Sequence, residues 1–288
     1  MKNRSDKKDF PVCFFTKDRT ACACACASAI VRNLTCGDRH VRYVVCDDGS
    51  RPGHLDAVYG AMLKAGAAPG DIHVHTNTKE RHGLGASMNR GLEDAFETSY
   101  ECLRMEDDWL LKRPLDVGVW ADCMDRLSIG SVRLGMMFRA PQELVPLTDD
   151  LYKLRSWKNR RFSFNNQVAI VTDAVYQLLG RYPENVSPVE VECHMADRYN
   201  AVTDKCLTTP YVCWPRAWAT NKFYDATMPF AHVGVSTIKH KYKIPASYAH
   251  LNNPREDQRL RDVALAERRA REARAAERSR EDREGQEP

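Results

Sequence analysis

The sequence predicts an α/β fold, a mixed and mostly parallel sheet flanked by helices, with a charged helical tail at the C-terminus. Three observations carry this. Strand-sized apolar runs alternate with amphipathic stretches through residues 10–135, which is the signature of a sheet covered on both faces. Polar clusters stand where those strands end. The last 34 residues change character altogether.

Taken in order, residues 12–16 read as a strand and 20–34 as a helix. A second strand spans 41–46, followed by a helix over 54–65 that stops near Gly66. Residues 71–75 are a third strand, 86–98 a helix and 101–105 a fourth strand. Beyond 136 the pattern loosens, and 139–166 is polar, basic and loop-like. Strands are expected at 167–172, 207–212 and 230–234, with helices at 173–180 and 188–199. Sheets of this class bind ligands in the crevice at the carboxyl ends of their strands. The expected organisation is a basic arm (1–9), one domain over 10–254 with halves at 10–135 and 136–254, and a tail over 255–288.

The tail, from Arg255 to Glu284, holds ten Arg and nine Asp/Glu with no Gly, Pro or aromatic residue. It reads as a solvated single helix or a partly disordered segment, supported by spaced pairs such as Glu267–Arg271. With Glu287 its charges cancel, so the net charge of +4 resides in residues 1–254.

The chain has 288 residues, 43% hydrophobic and 28% charged, a globular composition that excludes wholesale disorder, a coiled-coil rod or a collagen-like fibre. Its apolar runs are strand-sized, far below the ~20 residues of a membrane span. Basic residues at the N-terminus are followed by no apolar stretch, so no signal peptide is expected, and the location expected is cytosolic. Eleven cysteines cannot all pair and are expected as free thiols. The run Cys22-Ala-Cys24-Ala-Cys26 resembles a thiolate cluster, but alternate residues of a helix point in different directions, so small core residues are the better account.

Three clusters carry chemistry. Asp47-Asp48-Gly49-Ser50 suits a tight turn at a strand end, with a carboxylate facing the crevice for a nucleobase or ribose; a plain acidic turn fits the same residues. Glu106-Asp107-Asp108, after an apolar strand, sets three like charges side by side. They repel unless something positive joins them, and a hard divalent cation bridging to a diphosphate is the natural partner; a solvated acidic loop is the other reading of the same residues. Between them, Gly83-Leu84-Gly85 opens a helix whose N-terminus favours anions, although by themselves these residues fit a plain helix start better.

In this order the clusters resemble the nucleotide-sugar glycosyltransferases of the GT-A fold, particularly the family-2 type. There a polar segment ends the first strand (Thr16–Arg19 here) and Asp-Asp-Gly-Ser ends the second (Asp47–Ser50). A Gly-x-x-x-Asn-x-Gly helix follows (Gly85, Asn89, Gly91), then an acidic triplet about sixty residues after the turn (Glu106–Asp108). The Glu-Asp-Asp-Trp form is most similar to bacteriophage-encoded transferases, which would work in the host cytoplasm. The resemblance spans roughly residues 10–240 and is weaker in the second half.

It implies a divalent metal (Mn²⁺ or Mg²⁺), a nucleoside diphosphate sugar as donor, with UDP-sugars favoured, and inversion at the anomeric carbon in a hexosyl or pentosyl transfer. Asp47 or Asp48 would hold the nucleobase, aided by Thr16, Asp18 and Arg19, with Gly85 and Asn89 in the donor-binding helix. Asp107 would face the ribose or metal, and Asp108 and His232 would bind the metal. Glu192 or Glu190 would act as the base toward the acceptor hydroxyl. The stretch 152–164 carries five basic residues and four aromatics, including Arg155, Trp157, Lys158, Arg160 and Arg161. It suits an acceptor with a phosphate backbone and an extruded base; a solvated loop anchored to the core by its aromatics fits the same residues equally well. Hydroxymethylated pyrimidines of phage DNA, hydroxymethylcytosine among them, are therefore the favoured acceptor. A virion protein, another hydroxyl acceptor, or a non-catalytic nucleotide- or nucleic-acid-binding role on the same scaffold are the alternatives, and the oligomeric state stays open.

Overall fold

A computed structural model describes residues 9–127, 129–135, 143–149, 151–155, 166–203, 211–215, 229–234 and 250–284. Its centre is a nine-stranded sheet in the order β4-β3-β1-β5-β11-β8-β12-β10-β9. The strands are β1 (Asp9–Thr16), β3 (His40–Asp47), β4 (Ile72–Thr76), β5 (Glu101–Glu106), β8 (Ile129–Arg133), β9 (Glu143–Pro146), β10 (Leu151–Arg155), β11 (Ala169–Thr172) and β12 (Tyr211–Pro215). β10 and β11 run opposite to the other seven. The mixed, mostly parallel sheet expected from the alternating pattern is thus the one found.

The helices of the first half follow the predicted periods closely. They are α1 (Thr20–Asn33), α2 (His54–Ala65) and α3 (Gly83–Thr98). Gly66, at φ 114°, closes α2 in the left-handed conformation that glycine adopts most cheaply. Strand alternation then sorts the helices onto two faces. Cys13 and Phe15 of β1 point to α3, where the Cys13 thiol donates to the Gly91 carbonyl and Phe15 touches Gly91. A Cβ on Gly91 would stand 2.8 Å from Cys46 Sγ, so a glycine is needed for α3 to lie this close to the sheet. Thr16 falls on the other face, against α2.

The second half is where expectation and structure part. Helix α4 (Gly118–Arg126) and strand β8 were not foreseen, and β9 and β10 fall inside a stretch read as loop. β8 is buried along its whole length, yet it reads Ile-Gly-Ser-Val-Arg, with no apolar run or alternation to mark it. Helices α5 (Asp173–Leu179) and α6 (Pro188–Thr203) lie near their predicted bounds. β13 (Phe230–His232) pairs with β6 (Trp109–Leu111), and the two-residue strands β2 (Leu34–Thr35) and β7 (Leu115–Asp116) pair with each other.

The tail forms one helix, α7 (Pro254–Glu284), with Pro254 at its first position. Its start is not solvated, contrary to the sequence expectation. Arg261 is 2% exposed and donates to Thr20 Oγ1 at 3.2 Å, while Asp257 accepts from the Ala21 backbone N–H at 2.7 Å. These contacts anchor α7 to the N-terminus of α1. Among its residues 266–279 almost every one is exposed. The misreading arose because buried polar side chains share the docking with a short apolar patch, Ala264 and Leu265, too small to stand out in the sequence. Nine of the eleven cysteines, from Cys13 to Cys193, are free thiols; Cys22 and Cys26 are buried, as expected of core residues. No described helix is long and apolar enough to cross a membrane.

Replacing Arg261 with Met is expected to cost about 1.5–3 kcal/mol, because a buried charged donor is lost beside Thr20. Ending the chain after Arg271, by contrast, should change stability by less than about 0.5 kcal/mol. Thermal melts of the two variants check this.

Candidate active site

β1 lies between β3 and β5, so the chain turns one way from β1 to β3 and the other way to β5. This is the topological switch point at which open α/β sheets bind ligands. Register brings the polar clusters to that one edge, since Thr16 pairs with Asp47, Asp47 with Thr76, and Phe15 with Glu106.

The two turns are zipped together. Asp47 accepts from the Ser50 N–H at 3.0 Å and from the Ser50 hydroxyl, which shapes the Asp-Asp-Gly-Ser turn around Gly49 at φ 70°. Asp18, itself at φ 58°, accepts from the Arg51 N–H at 2.8 Å and the Arg51 guanidinium, and its own N–H donates to Ser50 Oγ. Asp48 accepts from Lys17 Nζ at 2.7 Å, Asn77 Nδ2 at 2.9 Å and the Gly83 N–H at 2.5 Å. Burial acts to raise the Asp48 carboxyl, but these donors outweigh it and hold it below the usual range. Asp48 therefore braces the N-terminus of α3, while Asp47 shapes its own turn.

Asp107 is fully buried. Its Oδ2 accepts from the Thr16 hydroxyl at 2.8 Å and the Lys17 N–H at 3.1 Å, and its Oδ1 meets Arg19. Asp108 Oδ2 accepts from Arg19 Nη1 at 2.6 Å and lies 3.1 Å from His232 Nε2. The β6–β13 pairing places that histidine, with its ring edge-on to Trp109 at 5.2 Å. Gly234 packs so tightly on the Asp108 carboxylate and Arg19 that a Cβ would collide with both.

Burial and like charges push Glu106 up, to about 8. Burial raises Asp107 as well, with Arg19 opposing it. For Asp108, burial is outweighed by Arg19 and His232, and the carboxyl stays well below its usual range. Arg19 thus sets one positive charge against the two carboxylates of Asp107 and Asp108, while Glu106 is driven toward its neutral form.

Behind this site runs a chain of hydrogen bonds that sequence reasoning missed. His54, fully buried, has Nε2 2.7 Å from Thr16 Oγ1 and Nδ1 3.0 Å from Thr20 Oγ1. Because Thr16 gives its proton to Asp107, His54 must donate from Nε2, and burial lowers its pKa and keeps it neutral. Thr20 then donates to Nδ1 and accepts from Arg261. The polarity runs in one direction, from a buried guanidinium to a buried carboxylate. The first residue of an amphipathic helix carries no pattern that would have marked His54.

Three predicted residues have structural work instead. Asn89 is fully buried, with Nδ2 donating to the Tyr182 carbonyl and Glu184, and Oδ1 accepting from the Tyr182 N–H at 2.8 Å. Its amide is committed to the 176–184 segment and not left for a donor. Gly85 packs against the Pro183 carbonyl, which a Cβ would strike. Glu190 is exposed and forms a capping box with Ser187, accepting from the Ser187 N–H at 2.8 Å while Ser187 Oγ accepts from the Glu190 N–H. That Ser-x-x-Glu spacing was readable in the sequence. Glu192 is half-buried, and its charge acts on Glu106 and on the buried Arg133. Trp157, Lys158, Arg160 and Arg161 lie outside the described residues, as does the side chain of Arg155.

The same residues decide how a divalent cation could be held here. Among the described residues no three His, Cys, Asp or Glu side chains are assembled to enclose one. Yet Asp108 Oδ1 is buried without a hydrogen-bond partner, beside His232, and an ionised oxygen is seldom left so. A carboxylate oxygen and an imidazole fit a cation that completes its shell with ligand oxygens.

Comparison with solved structures agrees with the architecture. The crystal structure of S. aureus TarS 1-349 in complex with UDP-GlcNAc matches with TM-score 0.50 and 13% identity, over 89% of this chain and 66% of that one. The fold is that of GT-A glycosyltransferases. The longer S. aureus TarS structure matches at TM-score 0.50 and 14% identity, over 72% of this chain and 35% of its own. The chain thus spans between one third and two thirds of these two proteins. No family model matches the sequence, and no curated protein does.

Two predictions follow from this geometry. Glu184 is held down to about 2, chiefly by hydrogen bonds from Arg81, with Asn89 and Arg181 adding to it. A depressed folded pKa contributes stability above about pH 4.5 that fades as pH falls toward 2. Glu184→Gln should lower Tm at pH 7 by several degrees, with the gap to wild type closing between pH 4.5 and 2. His54→Ala should cost about 1–3 kcal/mol by leaving two buried hydroxyls short of a partner. His54→Gln, which keeps a donor, should cost less in denaturant titrations.

Proposed function

We propose that the protein transfers a sugar from a nucleoside diphosphate sugar to a hydroxyl acceptor, with a divalent metal as cofactor. The observation that carries this is the acidic pair at the switch point of a GT-A fold, Asp107 fixed by Thr16 and Lys17 and Asp108 with a buried oxygen free beside His232. Asp108 and His232 would hold the metal, which supplies charge neutralisation for the leaving diphosphate. Asp18 and Asp48 stand at the rim for the nucleoside, and Arg19 is near enough to share the phosphate charge. Asp47 and Thr16 act behind them, shaping the turn and fixing Asp107.

Glu192 is the better base, because Glu190 is occupied as a helix cap. Its carboxylate would take the acceptor proton as the oxygen attacks the anomeric carbon and the bond from that carbon to the diphosphate oxygen breaks. One displacement of this kind inverts the anomeric centre.

For the acceptor we infer a hydroxymethylated pyrimidine in DNA, on the strength of the basic, aromatic stretch 152–164. A donor screen following nucleoside diphosphate release, with hydroxymethylated DNA, protein or no acceptor, tests both parts. Release dependent on the DNA is expected, whereas transfer only to a protein or small alcohol removes the DNA reading. UDP should raise Tm in the presence of Mn²⁺, and Asp108→Ala should abolish that shift. Absence of stabilisation by any nucleotide would count against the enzyme. Glu192→Gln is expected to lower the transfer rate by ~100-fold or more, and Glu190→Gln to leave it within a few-fold.

A further inference from the structure

Asn166 stands just before β11, which runs antiparallel to β5 with Ala169 opposite Arg104. Residues preceding Ala169 therefore extend along the same edge as those following Arg104, toward Glu106 and the acidic pair. On the other side, the Leu134 N–H donates to the Val168 carbonyl and holds this segment in place. The Asn166 backbone N–H lies 3.5 Å from Glu192 Oε1, so the residue adjoins the proposed base.

Its side chain is anomalous. Asn166 is only 5% exposed, yet neither Nδ2 nor Oδ1 has a hydrogen-bond partner. A buried amide unsatisfied at both ends is costly to the fold, and a leucine of similar size would avoid that cost. Asn89 shows what a structural asparagine looks like in this chain, with every amide atom paired. An amide offers a donor and an acceptor side by side, and an alcohol can both accept and donate, so a hydroxyl satisfies both ends at once.

We propose that Asn166 is a substrate-binding residue, its amide taking a hydroxyl of the transferred sugar or of the acceptor beside Glu192. This rests on the glycosyl-transfer reading. The test compares Asn166→Leu and Asn166→Ala with wild type in two measurements, thermal stability without ligand and turnover of the UDP-sugar that wild type uses.

Asn166→Leu should keep or raise Tm, by up to ~2–4 °C, while transfer falls ~10–100-fold and UDP affinity stays within about twofold. If slow hydrolysis of the UDP-sugar without acceptor falls equally, the hydroxyl belongs to the sugar; if only transfer falls, it belongs to the acceptor. A clear drop in Tm for Asn166→Leu overturns the proposal, because the amide would then be serving a structural partner such as a buried water. Unchanged transfer in both variants overturns it as well. If wild type turns over no nucleotide sugar, the glycosyl-transfer reading fails and this assignment falls with it, a result distinct from either variant failing alone.

Discussion

The hydrogen bond from Thr16 to Asp107 is the constraint on which the site depends. It joins the ends of the two strands between which the sheet changes direction, and it does so with a carboxylate that has no contact with water. A buried carboxylate is tolerated only when its oxygens are satisfied. Here the need is met from three directions: the Thr16 hydroxyl, the Lys17 N–H and the Arg19 guanidinium. The polar segment after β1 thus has its path set by Asp107, and Asp18, held by Arg51 in turn, ties that segment to the turn after β3.

The same requirement explains why α7 belongs to the site. Because the Thr16 proton is committed to Asp107, Thr16 can only accept in its contact with His54, and His54 must be the donor there. His54 in its neutral form then needs a donor on Nδ1, which Thr20 supplies while Arg261 donates to Thr20. Each group fixes the proton position of the next, so a residue near the end of the chain helps set the rotamer of one near its start. Because Asp107 Oδ2 is consumed by this arrangement, only Oδ1 is turned toward Arg19.

The first half of the fold was legible because its helices bury one apolar face each, while β1, β3 and β5, buried on both faces, stand out as apolar runs between them. β8 was not, since a strand buried among other elements needs no alternation and tolerates Gly, Ser and Arg. The acidic triplet and the Asp-Asp-Gly-Ser turn were legible by composition and order. His54, Arg261 and Asn166 were not, because each is defined by partners, or by the lack of them, 34 to 241 positions away or on another strand. Glu190 illustrates the reverse error: a local capping box carried a full explanation of that carboxylate, yet proximity to Glu192 invited a catalytic one.

Arg19 brings these strands of reasoning together. Its guanidinium spans Asp107 and Asp108, and without it two adjacent buried carboxylates would have no internal counter-charge. One positive charge nevertheless does not balance Asp107, Asp108 and their neighbour Glu106, which is why burial and repulsion push Glu106 toward its neutral form. His232 is placed to help, with Nε2 3.1 Å from Asp108 Oδ2. The site is therefore built with a deficit of positive charge and with one carboxylate oxygen left open. A ligand that arrives with a cation corrects both, and a nucleoside diphosphate is the kind of molecule that carries one.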